Sequence, residues 1–203
     1  MHPRIKLTVL LVSLGFLLVI LPGAGEYSFT ASRDELVSSV FDEGSYFSVD
    51  RVAAFVVSED STVQLIDLRS TGEYNSFNIP GSINIPFNMF FSTKPETWLY
   101  NRDMKYIFYS NDDEDAAYAL VLARGLGYEN SFAMKGGLNE WFEKVMNSTF
   151  PSGPISAREN ALYESRIRAR QFFTTINSLP DSLRIKYAES RRQAERNLDG
   201  GCD

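Results

Sequence analysis

Ser110, Asn111 and the carboxylates Asp112, Asp113, Glu114 and Asp115 form the most chemically dense stretch of the 203-residue chain. A stretch of this kind is an active site, a disarmed one, or a binding surface. Clustered carboxylates supply the oxygens that a hard cation wants. Consecutive residues at a helix start splay around its axis, however, and the Asp-x-Asp-x-Asp-Gly spacing of a calcium loop is absent. The four acids are therefore weak metal candidates, and neither a metal nor another cofactor is expected. Nucleophile chemistry is restricted as well. The one cysteine, Cys202, is the second-last residue, and the one histidine, His2, stands near the amino terminus. No intrachain disulfide can form. Without the first residues the chain has no histidine for a Ser-His or Cys-His pair, a metal site or a pH switch.

The elements around this stretch decide which groups it presents. Residues 106–109 read as a short apolar strand, 110–115 as a polar loop, and those up to Arg124 as a helix closed at Gly125 or Gly127. The loop joins a strand's carboxyl end to a helix's amino end, where free backbone N–H groups converge and favour an anion. Upstream, Ser48 caps a helix predicted to reach Val57, with Val49, Val52, Ala53 and Val56 at helical spacing. Residues 62–68 form a β-rich strand, 69–78 a turn and short helix, and 79–86 an extended segment turning at Pro80-Gly81. Phe87, Phe90, Phe91, Trp98 and Tyr100 lie in a segment that could cover the loop, with core packing expected for most of them. Residues 128–133 read as another strand and 138–146 as a last helix. Strands alternating with helices predict an α/β fold, a parallel sheet flanked by helices.

Flanking segments set this domain, residues 48–146, apart. Arg4 and Lys6 precede an apolar run over residues 7–21, followed by Pro22-Gly23-Ala24-Gly25, which together read as an export segment over 1–25. The run is long for a signal peptide and short of the about 20 residues of a membrane span. Cleavage and retention as a membrane anchor through residues 4–25 both stay open. In either case the protein is expected outside the cytoplasm, secreted or membrane-anchored. Residues 26–47 read as a linker with a short helix and 147–155 as a second linker. Residues 156–203 read as a C-terminal helical extension. Ser156 and Glu159 make a capping box, residues 178–181 a turn, and Gly200-Gly201 a stop, giving a helical hairpin. Residues 26–155 carry 9 basic and 19 acidic side chains, and residues 156–203 carry 9 and 7. An acidic domain of this kind has no reason to bind nucleic acid. Arg166, Arg168, Arg170, Arg191 and Arg192 either pair with acidic surface, another copy or anionic lipid, or form a solvated helix face.

Five separated blocks add a resemblance. They are Ile66-Asp67-Leu68-Arg69 with Glu73-Tyr74, Ile79-Pro80-Gly81-Ser82-Ile83-Asn84-Ile85-Pro86, Ile107-Phe108-Tyr109-Ser110, Met134-Lys135-Gly136-Gly137, and Trp141. Over about residues 48–146 the chain resembles the rhodanese family. The resemblance implies the small rhodanese fold, with Asp67, Arg69, Glu73, Pro80, Gly81, Asn84, Gly136 and Gly137 as structural positions. Residue chemistry agrees. Asp67 and Arg69 near a strand end lock a loop by a charge-assisted hydrogen bond. Asn84 ties down backbone, Trp141 is a core anchor with its N–H satisfied, and Gly136 and Gly137 permit close packing.

The departure comes at the family's chemistry. Active rhodaneses place a cysteine directly after the central strand, in a loop resembling Cys-x-x-Gly-x-Arg whose backbone N–H groups stabilise a thiolate and the persulfide it carries. The matching positions here are Ser110, Asp113 and Asp115. A serine hydroxyl is not appreciably ionised without a base, and it cannot hold a persulfide. Acids at a helix start stabilise it by about 0.3–1 kcal/mol each when exposed, and they repel thiosulfate and phosphate. One or two of them are candidates to fill the anion cradle. The chain thus reads as an exported rhodanese-like protein without sulfurtransferase activity or a catalytic residue, acting as a binding or scaffolding module for an unidentified protein. Two alternatives stay open. Cys202, on the flexible Gly200-Gly201, could carry a persulfide from a thiol or sulfur donor or form an intermolecular disulfide, although Asp203 disfavours its thiolate. The acidic loop could instead bind a cation.

Overall fold

The computed structural model describes residues 32, 38–39, 41–92 and 97–199. The export or anchor segment read over 1–25 and Cys202 lie outside the described residues. Among the described residues, no helix is long and apolar enough to cross a membrane.

Strands β1 (Tyr46–Phe47), β2 (Val63–Asp67), β3 (Ile83–Asn84), β4 (Lys105–Tyr109) and β5 (Ser131–Met134) form one sheet in the order β1-β5-β4-β2-β3, with every pairing parallel. Asp67 stands level with both Tyr109 and Asn84, so the carboxyl ends of the three strands reach one edge together. Side chains alternate across a strand. On β4, Ile107 and Tyr109 enter one core with Val63 and Leu65, while Tyr106 and Phe108 enter the other with Ile66. Burial on both faces explains why these strands read as continuous apolar runs.

Helices cover both faces. Helix α1 (Val49–Ser58) starts where the Ser48 hydroxyl accepts a hydrogen bond from the Arg51 N–H, and buries Val49, Val52, Ala53 and Val56 on the first face. Helix α2 (Thr71–Ser76) has a capping box of Ser70 and Glu73. Helices α3 (Phe87–Ser92) and α4 (Glu114–Gly125) cover the second face, with Phe90, Ala116, Ala119 and Leu120 fully buried. Phe90 is thus a core residue, whereas Phe91 and Tyr100 are partly exposed. Phe87 packs on Phe91 and on Tyr118 of α4, with ring centroids 4.7 and 6.2 Å apart.

Several boundaries differ from expectation. Helix α4 begins at Glu114, so Glu114 and Asp115 lie in its first turn and the loop proper is residues 110–113. Strand β5 begins at Ser131 because Tyr128 turns into the second core against Tyr106. The last helix of the domain, α5 (Gly137–Trp141), widens into a π-helix over Phe142–Met146. The Trp141 indole is fully buried, but its N–H meets no acceptor among the described residues. Packing against Phe173 sets its position, so its hydrogen-bonding group goes unmet.

The C-terminal extension is helical, as its capping box predicts. Helix α6 (Ala157–Asn177) opens at Ser156, and α7 (Asp181–Asp199) follows the turn. Helix α6 packs on α1 and inserts Ala169 and Phe173 into the first core. Phe173 lies 6.2 Å from Trp141, 5.8 Å from Phe142 and 6.3 Å from Phe77, centroid to centroid. The solvated-face reading fails for three of the arginines. Arg166 holds Asp50 through two bonds, and Arg170 donates to the Met146 and Ser148 carbonyls. Arg191 stands 3.9 Å from Glu59. Arg168 pairs with Glu164 within α6 and stays exposed, as a solvated face requires.

Candidate functional site

The sheet edge at the carboxyl ends of the strands brings most of the predicted positions together. Ser110 leaves β4 with 5 % of its surface exposed, and its hydroxyl donates to Asp115 Oδ2 at 3.0 Å. Its carbonyl accepts from the Leu138 N–H at 3.0 Å, and the Asn111 carbonyl accepts from the Asn139 N–H at 2.9 Å. The start of α5 therefore backs the loop. Gly137 makes this possible: a Cβ there would stand 2.5 Å from the Asp112 carbonyl oxygen.

The acids turn to the protein's own donors. Asp112 Oδ1 accepts from the Glu114 N–H at 3.1 Å, and Asp113 Oδ2 accepts from the Gly136 N–H at 3.3 Å. With Asp115 on the Ser110 hydroxyl, three of the four carboxylates have separate partners. Among the described residues, no three cysteine, histidine or carboxylate groups converge as a metal would require. Glu73 closes the loop from α2, accepting from Asn111 Nδ2 at 3.0 Å. Hydrogen bonds from Ser70 and Asn111 hold the Glu73 carboxyl below its usual range.

Asp67 and Arg69 brace the neighbouring strand end. Both are buried, and Arg69 Nη2 meets Asp67 Oδ2 at 2.6 Å while Nε meets Oδ1 at 3.1 Å. Arg69 also donates to the Phe77 carbonyl at 2.8 Å. Burial works against the guanidinium's charge, but the hydrogen bonds and charge of Asp67 outweigh it and raise its pKa. Asn84 Nδ2 donates to the Asp67 and Arg69 carbonyls at 3.0 and 2.9 Å. Pro80 and Gly81 stand apart from the loop, in the turn before β3, where the Gly81 carbonyl accepts from Gln64.

Two features escaped the sequence reading, the bond that Asp115 makes and a groove beside the loop. Asp115 is the acceptor of the Ser110 hydroxyl, and the i to i+5 spacing across a loop and helix start carries no sequence signature. A carboxylate is still a weak base beside a serine hydroxyl. Glu43, Tyr46, Ser48 and Lys135 line a groove of about 430 Å³ with Asp113 and Glu114. Tyr46 sits on the edge strand β1, beyond β5, and burial, then the charge of Asp113, raises its phenol pKa.

The family model for the rhodanese-like domain matches residues 54–144. This chain carries a rhodanese-like domain. The domain is similar to thiosulfate:glutathione sulfurtransferase of Saccharomyces cerevisiae, 27% identical over 122 residues that cover 55% of this chain and 85% of that protein. It is also similar to the adenylyltransferase and sulfurtransferase uba4 of Ogataea parapolymorpha, 29% identical over 107 residues, or 50% of this chain. There the chain spans only 25% of the relative's length. Among solved structures, the human single-domain sulfurtransferase TSTD1 is 25% identical with a TM-score of 0.43, covering 49% of this chain and 96% of that one.

Proposed function

We propose that this rhodanese-like domain binds a partner protein outside the cytoplasm and does not transfer sulfur. The observation that carries this reading is the state of Ser110. It occupies the position after the central strand, is nearly buried, and its hydroxyl is committed to Asp115. An alkoxide is out of reach there, and serine oxygen forms no persulfide. The inward turn of Asp112 and Asp113 supports the reading, because those carboxylates take backbone donors that an anionic substrate would need. Location outside the cytoplasm rests on the apolar run over residues 7–21 behind Arg4 and Lys6.

The geometry lends no support to Cys202 acting on its own loop. Helix α7 touches Asn75 and then Glu59, which lies beyond the amino end of β2. It leads the chain away from Ser110. The test is thiocyanate formation from thiosulfate and cyanide by the full chain, by Ser110→Cys and by Ser110→Cys/Asp113→Gly/Asp115→Arg. Wild type is expected to match a protein-free control, with activity appearing first in the variants. Turnover by wild type refutes the reading, and its loss in Cys202→Ser would assign the sulfur to that thiol.

A further inference from the structure

The groove beside the Ser110 loop is open, and its lining combines aromatic rings with negative charge. It holds about 430 Å³, within the range of small-molecule sites. Phe41 and Tyr46 supply its aromatic wall. Phe41 keeps 80% of its surface in water, more than any other large apolar side chain listed for the described core and surface, so its ring is available to whatever enters. Glu43, Asp113 and Glu114 line the groove against a single cation, Lys135, which leaves a balance of −2. Asp113 gives Oδ2 to the Gly136 N–H, which ties that side chain to the wall. Glu43 and Glu114 are exposed, with their oxygens within reach of an incoming donor.

Charge and rings together select the occupant. Carboxylates call for a cation, and an aromatic face attracts one through its quadrupole. A metal ion is a poor match, because among the described residues no three carboxylates converge to hold it. The negative charge is instead spread along the groove. A planar guanidinium meets that arrangement better than a compact ammonium does, since it stacks on a ring while its five N–H donors reach separate carboxylates. The surrounding domain favours the same sign of partner, with 19 acidic against 9 basic side chains over residues 26–155 to steer a cationic surface in. We propose, on the reading of this domain as a protein-binding module, that the groove takes an arginine side chain of the partner protein, its guanidinium on the Phe41 ring and bonded to Glu43 and Glu114. The partner is thus a protein with an exposed arginine on a basic surface, and it docks beside the Ser110 loop rather than in it.

The test uses the full chain, with the capped tripeptide Gly-Arg-Gly as the probe and the same peptide carrying citrulline as its uncharged control, read by two-dimensional amide NMR. The arginine peptide is expected to shift residues 41–48, 113–117 and 135 saturably. Citrulline should bind at least about tenfold more weakly, the loss of a charge-assisted hydrogen bond. Phe41→Ala and Glu43→Gln should each weaken the arginine peptide about two- to fivefold, as for an exposed cation on a ring or a carboxylate. Lys135→Gln, which removes a competing cation, should tighten it. Glu143→Gln changes the net charge equally but lies outside the groove, and should leave the affinity as it is. Absence of saturable shifts at these residues overturns the proposal, as does equal affinity for citrulline. So does an affinity unchanged in both Phe41→Ala and Glu43→Gln, or weakened as much by Glu143→Gln. Shifts of the same residues on concentrating the protein alone would give the groove to a second copy and overturn it as well. Thiosulfate turnover by wild type would refute the protein-binding reading whatever the peptide does, while failure of the peptide leaves that reading standing, so the two fail separately.

Discussion

Replacing Gly137 with alanine probes the contact that backs the Ser110 loop. Gly137 has φ +55°, left-handed backbone that costs an L side chain about 1–2 kcal/mol. The new Cβ would also stand 2.5 Å from the Asp112 carbonyl oxygen and 2.7 Å from the Asn111 carbonyl carbon and oxygen. These neighbours are backbone and cannot swing aside. Relieving the overlap means backing α5 off the loop, at the expense of the Leu138 to Ser110 and Asn139 to Asn111 hydrogen bonds. Overpacking of this kind costs about 1–3 kcal/mol. The two contributions give about 2–5 kcal/mol, a large share of the about 5–15 kcal/mol that holds a typical domain. Gly153→Ala is the control for backbone alone: its φ is +108° and nothing lies within 4 Å of its Cβ position. Urea unfolding of the two variants beside wild type separates the effects. A loss at Gly137 below about 1 kcal/mol, or no greater than that at Gly153, would refute the close approach of α5 to the loop.

Three further outcomes follow from the packing. Phe173→Ala should cost about 3–5 kcal/mol in urea unfolding, as for an aromatic in a core, although residue 173 lies beyond the family match. Arg69→Met should cost about 3–5 kcal/mol because it strands the buried Asp67 carboxylate, and a loss within 1 kcal/mol would contradict the brace. Burial, then the charge of Glu59, pushes the Tyr187 phenol up to about 12. Its folded pKa thus exceeds the unfolded value of about 10, so the stability it contributes is complete below pH about 10 and lost as pH rises towards about 12. The difference in unfolding free energy between wild type and Tyr187→Phe should stay constant below pH about 10 and shrink across that window, and equal slopes there would remove Tyr187 from the docking of α7.

The legible parts of this protein are those whose signals lie within a few residues of one another. Ser48 and Ser156 announce their helices because a cap acts on the N–H groups two or three residues on. Strand positions such as those on β4 read clearly because parallel strands are buried on both faces. The Asp67 and Arg69 brace was readable for the same reason, its partners being two residues apart. The unmet Trp141 N–H was not, because its surroundings come from α6, more than thirty positions downstream.

By itself, the sequence determined the alternation of strands and helices, the strand-to-helix setting of Ser110, the run of acids behind it and the lack of a histidine within the domain. These are properties of residue type and local spacing. Tertiary structure alone decided what those groups touch. It placed Gly137 against the loop, gave the Ser110 hydroxyl to Asp115, paired Arg166 with Asp50 across 116 residues, and made α6 part of the core. The physical reason is that hydrogen bonds and packing depend on which faces meet, and chain-distant faces meet only after the sheet has set their positions. What began as six polar residues in a row is, in the folded protein, a loop held from behind by a glycine and closed from within by its own carboxylates.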